Sequence, residues 1–197
     1  FGLQQYCKSA RRNHGGAQRA WRRRGVYISA SAGGGIKMAI RQVRLENDEI
    51  LRKRAREVEE VDDRIRELLD DMVDTMHEYN GVGLAGPQVG ILKRVIVIDL
   101  YDGNKPLKLV NPRIVKQKGE QEVDEGCLSF PNEYAKMIRP AEVTVEALDE
   151  NGKKIKIKGE GLLAQALAHE IDHLDGILFV DKMISGTLHY VDPNSEE

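Results

Sequence analysis

The sequence has little cysteine and no long apolar run. Its 197 residues include two cysteines, Cys7 and Cys127, which lie in very different contexts. This usage argues against a disulfide framework and indicates a reducing compartment. No stretch approaches the roughly 18 consecutive apolar residues of a membrane span, and the N-terminus lacks the apolar core of a secretory signal. We therefore expect a soluble, cytoplasmic protein with no membrane partner.

Acidic residues are absent from residues 1–37, which carry a net charge of +8, whereas the whole chain has a net charge of −2. The remainder of the chain is therefore strongly acidic. A glycine run at residues 33–35 leads to Met38, which looks like a natural start of translation. We predict a basic extension over residues 1–37, disordered or foreign to the domain, and a single domain over residues 38–197.

Three origins of the basic extension remain open. An expression tag or a wrongly assigned upstream segment fits the lack of apolar periodicity and the first residue, Phe1. A transit peptide fits the arginine-rich, acid-free composition, and it would give the protein an organellar location. An arm for nucleic acid or membranes is the weakest interpretation, because a basic cluster alone is not specific. We expect no specific nucleic-acid partner.

Hydrophobic periodicity predicts an amphipathic helix between Asp62 and Asn80. Its apolar positions recur at helical spacing: Ile65, Leu68, Leu69, Met72, Val73 and Met76. Residues 81–90 are too rich in glycine for the interior of an element and predict a loop that closely approaches a ligand or another segment. The spacing of this loop matches neither a phosphate loop nor a dinucleotide fingerprint.

Several strands follow. Residues 94–100 predict a buried strand, and residues 107–110 predict a second that is broken at Asn111-Pro112. Residues 142–147 and 154–158 alternate in polarity, and a three-residue loop over 150–152 pairs Val145 with Ile157 and Glu146 with Lys156. The predicted fold is α+β, a mostly antiparallel β-sheet packed around one central buried helix.

That central helix carries the strongest functional signal, the pattern H-E-x-x-H from His169 to His173. The two imidazoles lie one turn apart on the same face, with Glu170 beside them. The flanking helical positions are apolar, and burying ionisable groups without partners costs roughly several kcal/mol. A bound metal is the simplest partner. The alternative interpretation is that both histidines are ordinary core residues with hydrogen-bond partners and that the glutamate stands beside them by chance.

A catalytic metal site needs three protein ligands and one open position. Phe179 stands where one metalloprotease pattern places its third histidine. Asp181 is the nearest downstream carboxylate. Cys127, for which we predict a short glycine-flanked loop within residues 125–131, is the better candidate because a thiolate beside a cation is a strong ligand. A lone cysteine is also an ordinary buried hydrophobe. A metallopeptidase and a closed metal-binding module therefore stay open on the residues alone.

Three segments together are more specific than any one of them. Residues 83–88, 125–129 and 165–173 resemble, in order and spacing, the three motifs of the peptide deformylases. The resemblance covers residues 38 to about 185. The chain departs from the pattern at Gly86, where the family usually has alanine. It also departs at the acidic residues 192–197, where the family often continues into a basic helix.

The resemblance implies a metal-dependent hydrolase of protein biosynthesis, which removes the N-formyl group from the initiator methionine of new polypeptides and releases formate. One divalent metal per chain is implied, most typically Fe(II), with zinc, nickel or cobalt as substitutes. Its ligands would be Cys127, His169 and His173. Glu170 would move the proton, while the Gln88 amide and the Leu128 backbone N–H would receive the charge on the formyl oxygen.

The family likeness also implies supporting residues. An apolar slot for the methionine side chain would be lined by Val82, Leu162 and Ala166. Gly83 and Tyr134 would hold the substrate peptide as an extended strand. Glu125 and Arg139 would form a pair that holds Cys127 in position without binding the metal themselves. The implied partners are N-formylmethionyl peptides and nascent chains, with transient contact to the ribosome.

Overall fold

The computed structural model describes residues 39–192. The predicted extension over residues 1–37 and its boundary at Met38 lie outside the described residues. Within residues 39–192 neither of the two α-helices has the length and apolar content that a membrane span requires. In this described part of the chain eight strands form two sheets, and all named strand pairs are antiparallel.

Helix α1, Asp63–Glu78, confirms the predicted amphipathic helix. The Asp62 carboxylate accepts a hydrogen bond of 2.9 Å from the Ile65 N–H and caps the first turn. The helix ends before Asn80, whose φ of 56° stops the helical path. Helix α2, Gly161–Leu174, carries the two histidines and ends, as predicted, at Asp175 and Gly176.

The larger sheet has the strand order β1-β2-β3-β6-β7 and the smaller one β4-β5-β8. The strands are β1 Gly83–Ala85, β2 Val95–Ile98, β3 Leu107–Lys118, β4 Gln121–Cys127, β5 Phe130–Arg139, β6 Glu142–Leu148, β7 Lys154–Glu160 and β8 His189–Tyr190. Between residues 39 and 192, 3-10 helices lie at Glu49–Arg52, Gly86–Val89 and Phe179–Asp181.

The predicted register of the β6–β7 hairpin is confirmed. Val145 pairs with Ile157 and Glu146 with Lys156. The Gly152 N–H donates to the Asp149 carbonyl over 3.0 Å, and Gly152 has a φ of 77°, which suits glycine at the end of a three-residue loop. Matching polarity on both faces of the hairpin was therefore enough to fix the register.

The prediction that Asn111-Pro112 breaks a strand is wrong. Strand β3 runs through both residues with a register shift between Val110 and Arg113. Asn111 has a φ of 52°, and its side chain accepts from the Val58 N–H and donates to the Val58 carbonyl, each over 2.8 Å. These two bonds stabilise a bulge, so the ladder resumes instead of ending.

The prediction of a loop over residues 81–90 is also partly wrong. The segment contains strand β1, which pairs with β2, followed by the 3-10 helix Gly86–Val89. The expected close approach is present. A Cβ on Gly86 would lie 2.6 Å from the Lys93 carbonyl oxygen and 2.8 Å from that of Ile91, so the glycine fits a tightly enclosed turn.

The segment around Cys127 is not the short loop that the sequence predicted. Cys127 ends β4, and a turn at Leu128 and Ser129 leads into β5. This hairpin was missed because β4 buries a carboxylate, that of Glu125, at a position where alternation predicts an apolar side chain.

Helix α2 packs between the two sheets, against strands of the larger sheet and against β5 of the smaller one. Ala164, Leu167 and Ile171 bury one side of the helix against Ile96 and Val145. A second core cluster joins Cys127, Phe130, Ala135, Met137 and Phe179 beneath the smaller sheet. The α+β class with mostly antiparallel sheets is confirmed, and helix α2 places its polar residues where these two clusters meet.

Candidate metal centre

Three potential ligand atoms converge between helix α2 and the end of β4. The His173 Nε2 lies 3.1 Å from the His169 Nε2 and 3.3 Å from the Cys127 Sγ. All three ligand atoms lie within 4.8 Å of one another and are buried. Asp181, the alternative third ligand, instead bonds the Leu178 N–H over 2.8 Å and pairs with Arg52. The structure thus brings together the three residues that the sequence singled out.

The charge state of His169 is set by Glu125. The His169 Nδ1 lies 2.5 Å from the Glu125 Oε1. Burial raises the pKa of Glu125, but the charges and hydrogen bonds of His169 and Arg139 outweigh it and lower that pKa to about 2. The ionised carboxylate therefore accepts the Nδ1–H, so the Nε2 is the ring nitrogen that faces His173 and Cys127.

This arrangement fits a bound cation. Burial, followed by the charge of His169, lowers the pKa of His173 well below its usual value, so its ring is neutral. Burial opposes the charging of His169, but the negative charges of Glu125 and Cys127 outweigh it and raise the pKa of His169. Two imidazole nitrogens and one thiol sulfur this close together suit a divalent metal that would replace their protons, and a Cys-His-His set leaves a fourth position open.

Glu125 is itself held by a buried network. The Arg139 guanidinium donates to the Glu125 Oε1 over 2.5 Å and to the Oε2 over 2.9 Å, and its third nitrogen donates to Asp172 over 2.6 Å. Lys182 donates to Asp172 over 2.7 Å. The Glu125–Arg139 contact matches the expected pair. Asp172 was missed, although a charged residue between two inward-facing histidines was a usable signal.

Gln88 is fixed at three points beside Cys127. Its side-chain Oε1 accepts from the Ala85 N–H over 2.8 Å, and its Nε2 donates to the Ser129 Oγ over 3.1 Å and to the Cys127 Sγ over 3.4 Å. Ser129 was not identified from the sequence. Leu128, the residue after Cys127, lies in the turn between β4 and β5. An amide donor and this turn therefore border the same thiol.

Glu170 follows His169 directly in helix α2 but is not one of the three potential metal ligands. Its Oε1 faces Gly83, where a Cβ would overlap it, and within residues 39–192 its buried Oε2 has no hydrogen-bond partner. Burial raises the pKa of Glu170 to about 7, with a further contribution from the charge of Glu125, while His169 and Arg139 act in the opposite direction. A carboxyl group of this kind can accept a proton and return it near neutral pH.

The residues expected to contact a substrate fall into two places. Val82 and Ala166 belong to one buried cluster, and Leu162 packs against it. Gly83 is in β1, at the edge of the larger sheet. Tyr134 is elsewhere: its ring lies against Gly126 and stacks on that of His189 with a centroid distance of 6.0 Å. It occupies the face of β5 opposite Ala135, which belongs to the core cluster with Cys127.

The chain is similar to known proteins over most of its length. A family model described as polypeptide deformylase matches residues 40–188. The chain is 63% identical over 145 residues to peptide deformylase 2 of Clostridium acetobutylicum, covering 73% of this chain and 95% of that protein. It is 58% identical over 147 residues to the peptide deformylase of Acetivibrio thermocellus, covering 75% and 85%.

Solved structures agree with these sequence relatives. A peptide deformylase from Legionella pneumophila is 49% identical with a TM-score of 0.72, covering 75% of this chain and 88% of that chain. A peptide deformylase from Synechococcus elongatus, solved in complex with actinonin, is 40% identical with a TM-score of 0.71, covering 77% and 89%.

The convergence of ligand atoms predicts the behaviour of Cys127→Ser. A serine hydroxyl is a poor, largely protonated ligand at neutral pH, so we expect the purified variant to lose most of its metal. Metal analysis by mass spectrometry measures the number of equivalents per chain. Cys7→Ser, the same substitution in the basic extension, is the matched control and should retain its metal. One full equivalent in Cys127→Ser would mean that the third ligand lies elsewhere.

Proposed function

This chain belongs to the peptide deformylase family, and from that membership we propose which of its residues perform the reaction. It is an enzyme that hydrolyses the N-formyl group from the N-terminal methionine of newly made polypeptides and releases formate. The observation that carries the assignment of residues is the buried group of Cys127, His169 and His173, together with the Glu170 carboxyl, whose Oε2 has no hydrogen-bond partner among residues 39–192.

The enzyme is metal-dependent, and the donor set supports one divalent ion per chain held by Cys127, His169 and His173. We propose Fe(II), with zinc, nickel or cobalt as functional substitutes, because Fe(II) is typical of the family. A thiolate with two imidazoles can hold any of these ions. When bound, the ion supplies Lewis-acid chemistry: it polarises a carbonyl oxygen and lowers the pKa of water.

Glu170 is the proposed proton carrier. Its free Oε2 accepts the proton that a water molecule loses as its oxygen attacks the formyl carbon. The same oxygen then returns the proton to the amine as the carbon–nitrogen bond breaks, which leaves formate and a free N-terminal methionine. A pKa of about 7 suits both steps. The contact with Gly83 limits the positions that the carboxyl can adopt.

Gln88 and Leu128 are the proposed donors to the formyl oxygen, where negative charge develops. The side-chain amide of Gln88 is oriented by Ala85 and Ser129 before a substrate arrives. The backbone N–H of Leu128 follows Cys127 directly. Donors that are fixed in advance stabilise such charge strongly, and the loss of one typically lowers the rate by roughly 10²–10³-fold.

The peptide is proposed to bind along the free edge of β1, with main-chain bonds to Gly83. Val82, Leu162 and Ala166 form an apolar surface next to the histidine-bearing helix and are proposed to receive the methionine side chain. Tyr134 is proposed to contact residues further along the peptide, because its ring covers Gly126, the neighbour of Cys127.

The catalytic domain is proposed to be residues 38–197, with residues 1–37 dispensable. The family match, which begins at residue 40, supports this division. A chain that starts at Met38 should keep the melting temperature and turnover of the full chain. A melting temperature lower by more than about 4 °C, on the order of 1 kcal/mol for a domain of this size, would contradict the division.

We place the enzyme in the cytoplasm, where formylated chains emerge from ribosomes, or in an organelle if residues 1–37 are a transit segment. Because the substrate is a newly made polypeptide, we propose a transient contact with the ribosome. Co-sedimentation with translating ribosomes tests that contact, and recovery of the protein only in the ribosome-free fraction would contradict it.

Formate release from a formyl-methionyl tripeptide tests the function and the metal together. The protein is purified without oxygen, loaded with iron or nickel, and assayed before and after exposure to air. We expect formate from the formylated peptide and no acetate from its acetylated counterpart. The iron form should lose activity in air faster than the nickel form, because Fe(II) is oxidised beside a thiolate.

Two results would count against these proposals separately. A metal-loaded protein that releases no formate but cuts internal peptide bonds would be a metallopeptidase. Equal losses of activity in air for the two metal forms would leave the reaction intact and contradict oxidation of Fe(II) as the cause.

A further inference from the structure

The segment after β2 holds the backbone that leads into β1. The Asp99 N–H donates to the Val82 carbonyl over 2.9 Å, and the Tyr101 hydroxyl donates to the Gly81 carbonyl over 2.9 Å. Gly81 and Val82 directly precede Gly83, the residue that faces the Glu170 carboxyl. Both carbonyls that precede Gly83 are therefore fixed by one short segment, residues 99–101.

Tyr101 has an unusual backbone conformation that its neighbours maintain. Its φ is 55°, in the left-handed region that a bulky side chain rarely adopts. The Asp99 carboxylate accepts from the Tyr101 N–H over 2.8 Å and contacts the Nε2 of His77, in the last turn of α1, over 2.8 Å. The His77 ring packs on the Tyr101 ring with a centroid distance of 5.5 Å. Asp99 and His77 thus direct the tyrosine hydroxyl at Gly81.

Strand β1 needs such support. It has three residues, and in the described part of the chain it pairs with β2 alone, at the edge of its sheet. A strand of this length has few hydrogen bonds of its own to fix its position. Residues with a strained backbone that several neighbours hold in place occur at functional sites. Here the strained residue, Tyr101, contacts Gly81, two residues before the glycine that faces Glu170.

We propose that Tyr101 is a positioning residue for the peptide substrate. Through its bond to Gly81 it sets the place of the β1 edge relative to Glu170 and to the apolar surface around Val82. This inference rests on the proposed function, in which the peptide main chain pairs with β1. Such pairing holds the substrate equally in the ground state and in the transition state, so its loss raises KM and leaves kcat nearly unchanged.

Tyr101→Phe removes only the hydroxyl and tests the proposal. We expect a rise in KM for a formyl-methionyl tripeptide of about 3- to 10-fold, the scale of one lost hydrogen bond. The kcat should stay within about a factor of two, and metal content should stay at one equivalent. Tyr79→Phe, the same change at an exposed tyrosine just after α1, is the matched control and should keep the wild-type KM.

Variants of Asp99 separate positioning from a general loss of structure. Asp99→Ala should raise KM to a similar extent. Asp99→Asn should keep KM close to the wild-type value, since an amide oxygen can still accept a hydrogen bond from the Tyr101 N–H. In the Tyr101→Phe background, Asp99→Ala should change KM by less than about twofold, because both act through the same contact.

A wild-type KM in Tyr101→Phe, or an equal fall in kcat and kcat/KM, would overturn the proposal. The proposal would also fail if Asp99→Ala raised KM by the same factor in the Tyr101→Phe background as in the wild-type enzyme. Formate release by the wild-type enzyme reports the proposed function independently: normal turnover with a wild-type KM in Tyr101→Phe overturns this inference alone, whereas no turnover by the wild type overturns both.

Discussion

The buried carboxylate of Glu125 is the contact on which both the fold and the site depend. It has no exposed surface, and it accepts hydrogen bonds from Arg139 and from the His169 ring. Removing one partner of a buried charged pair typically costs about 3–5 kcal/mol, because the remaining charge is left without compensation. The network therefore joins the smaller sheet, which carries Glu125 and Arg139, to the helix that carries the histidines.

The same contact separates two chemical roles on one helix. His169 is held with its Nε2 directed towards His173 and Cys127, where a cation can bind. Glu170, the next residue, is rotated by about 100° around the helix and faces β1 instead. Burial keeps its pKa near 7, and we propose that these adjacent residues supply a metal ligand and a proton carrier. In the proposed mechanism strand β1 connects this chemistry to the peptide, through Gly83 in the strand and Gln88 in the following 3-10 helix.

Features with a local physical signature could be predicted from the sequence. Residue spacing predicted α1 and the one-turn separation of His169 and His173, and polarity on both faces predicted the β6–β7 register. Features that depend on distant partners could not be predicted. The path of β3 through Asn111 depends on Val58, and strand β4 was hidden by Glu125, whose burial makes sense only with Arg139 and His169 present. Tyr101 carried no signal, because its role arises from a backbone conformation and not from its position in a motif.

The central claim, that Glu170 moves the proton beside a bound metal, is tested most directly by Glu170→Gln. Metal content and formate release are measured on the same preparation, with Glu160→Gln, an exposed glutamate at the start of α2, as the matched control. We expect one equivalent of metal in both variants. Formate release should fall by roughly 10²-fold or more in Glu170→Gln alone, the scale of a positioned general base. A Glu170→Gln variant that binds metal and keeps its activity within about a factor of three would contradict the account.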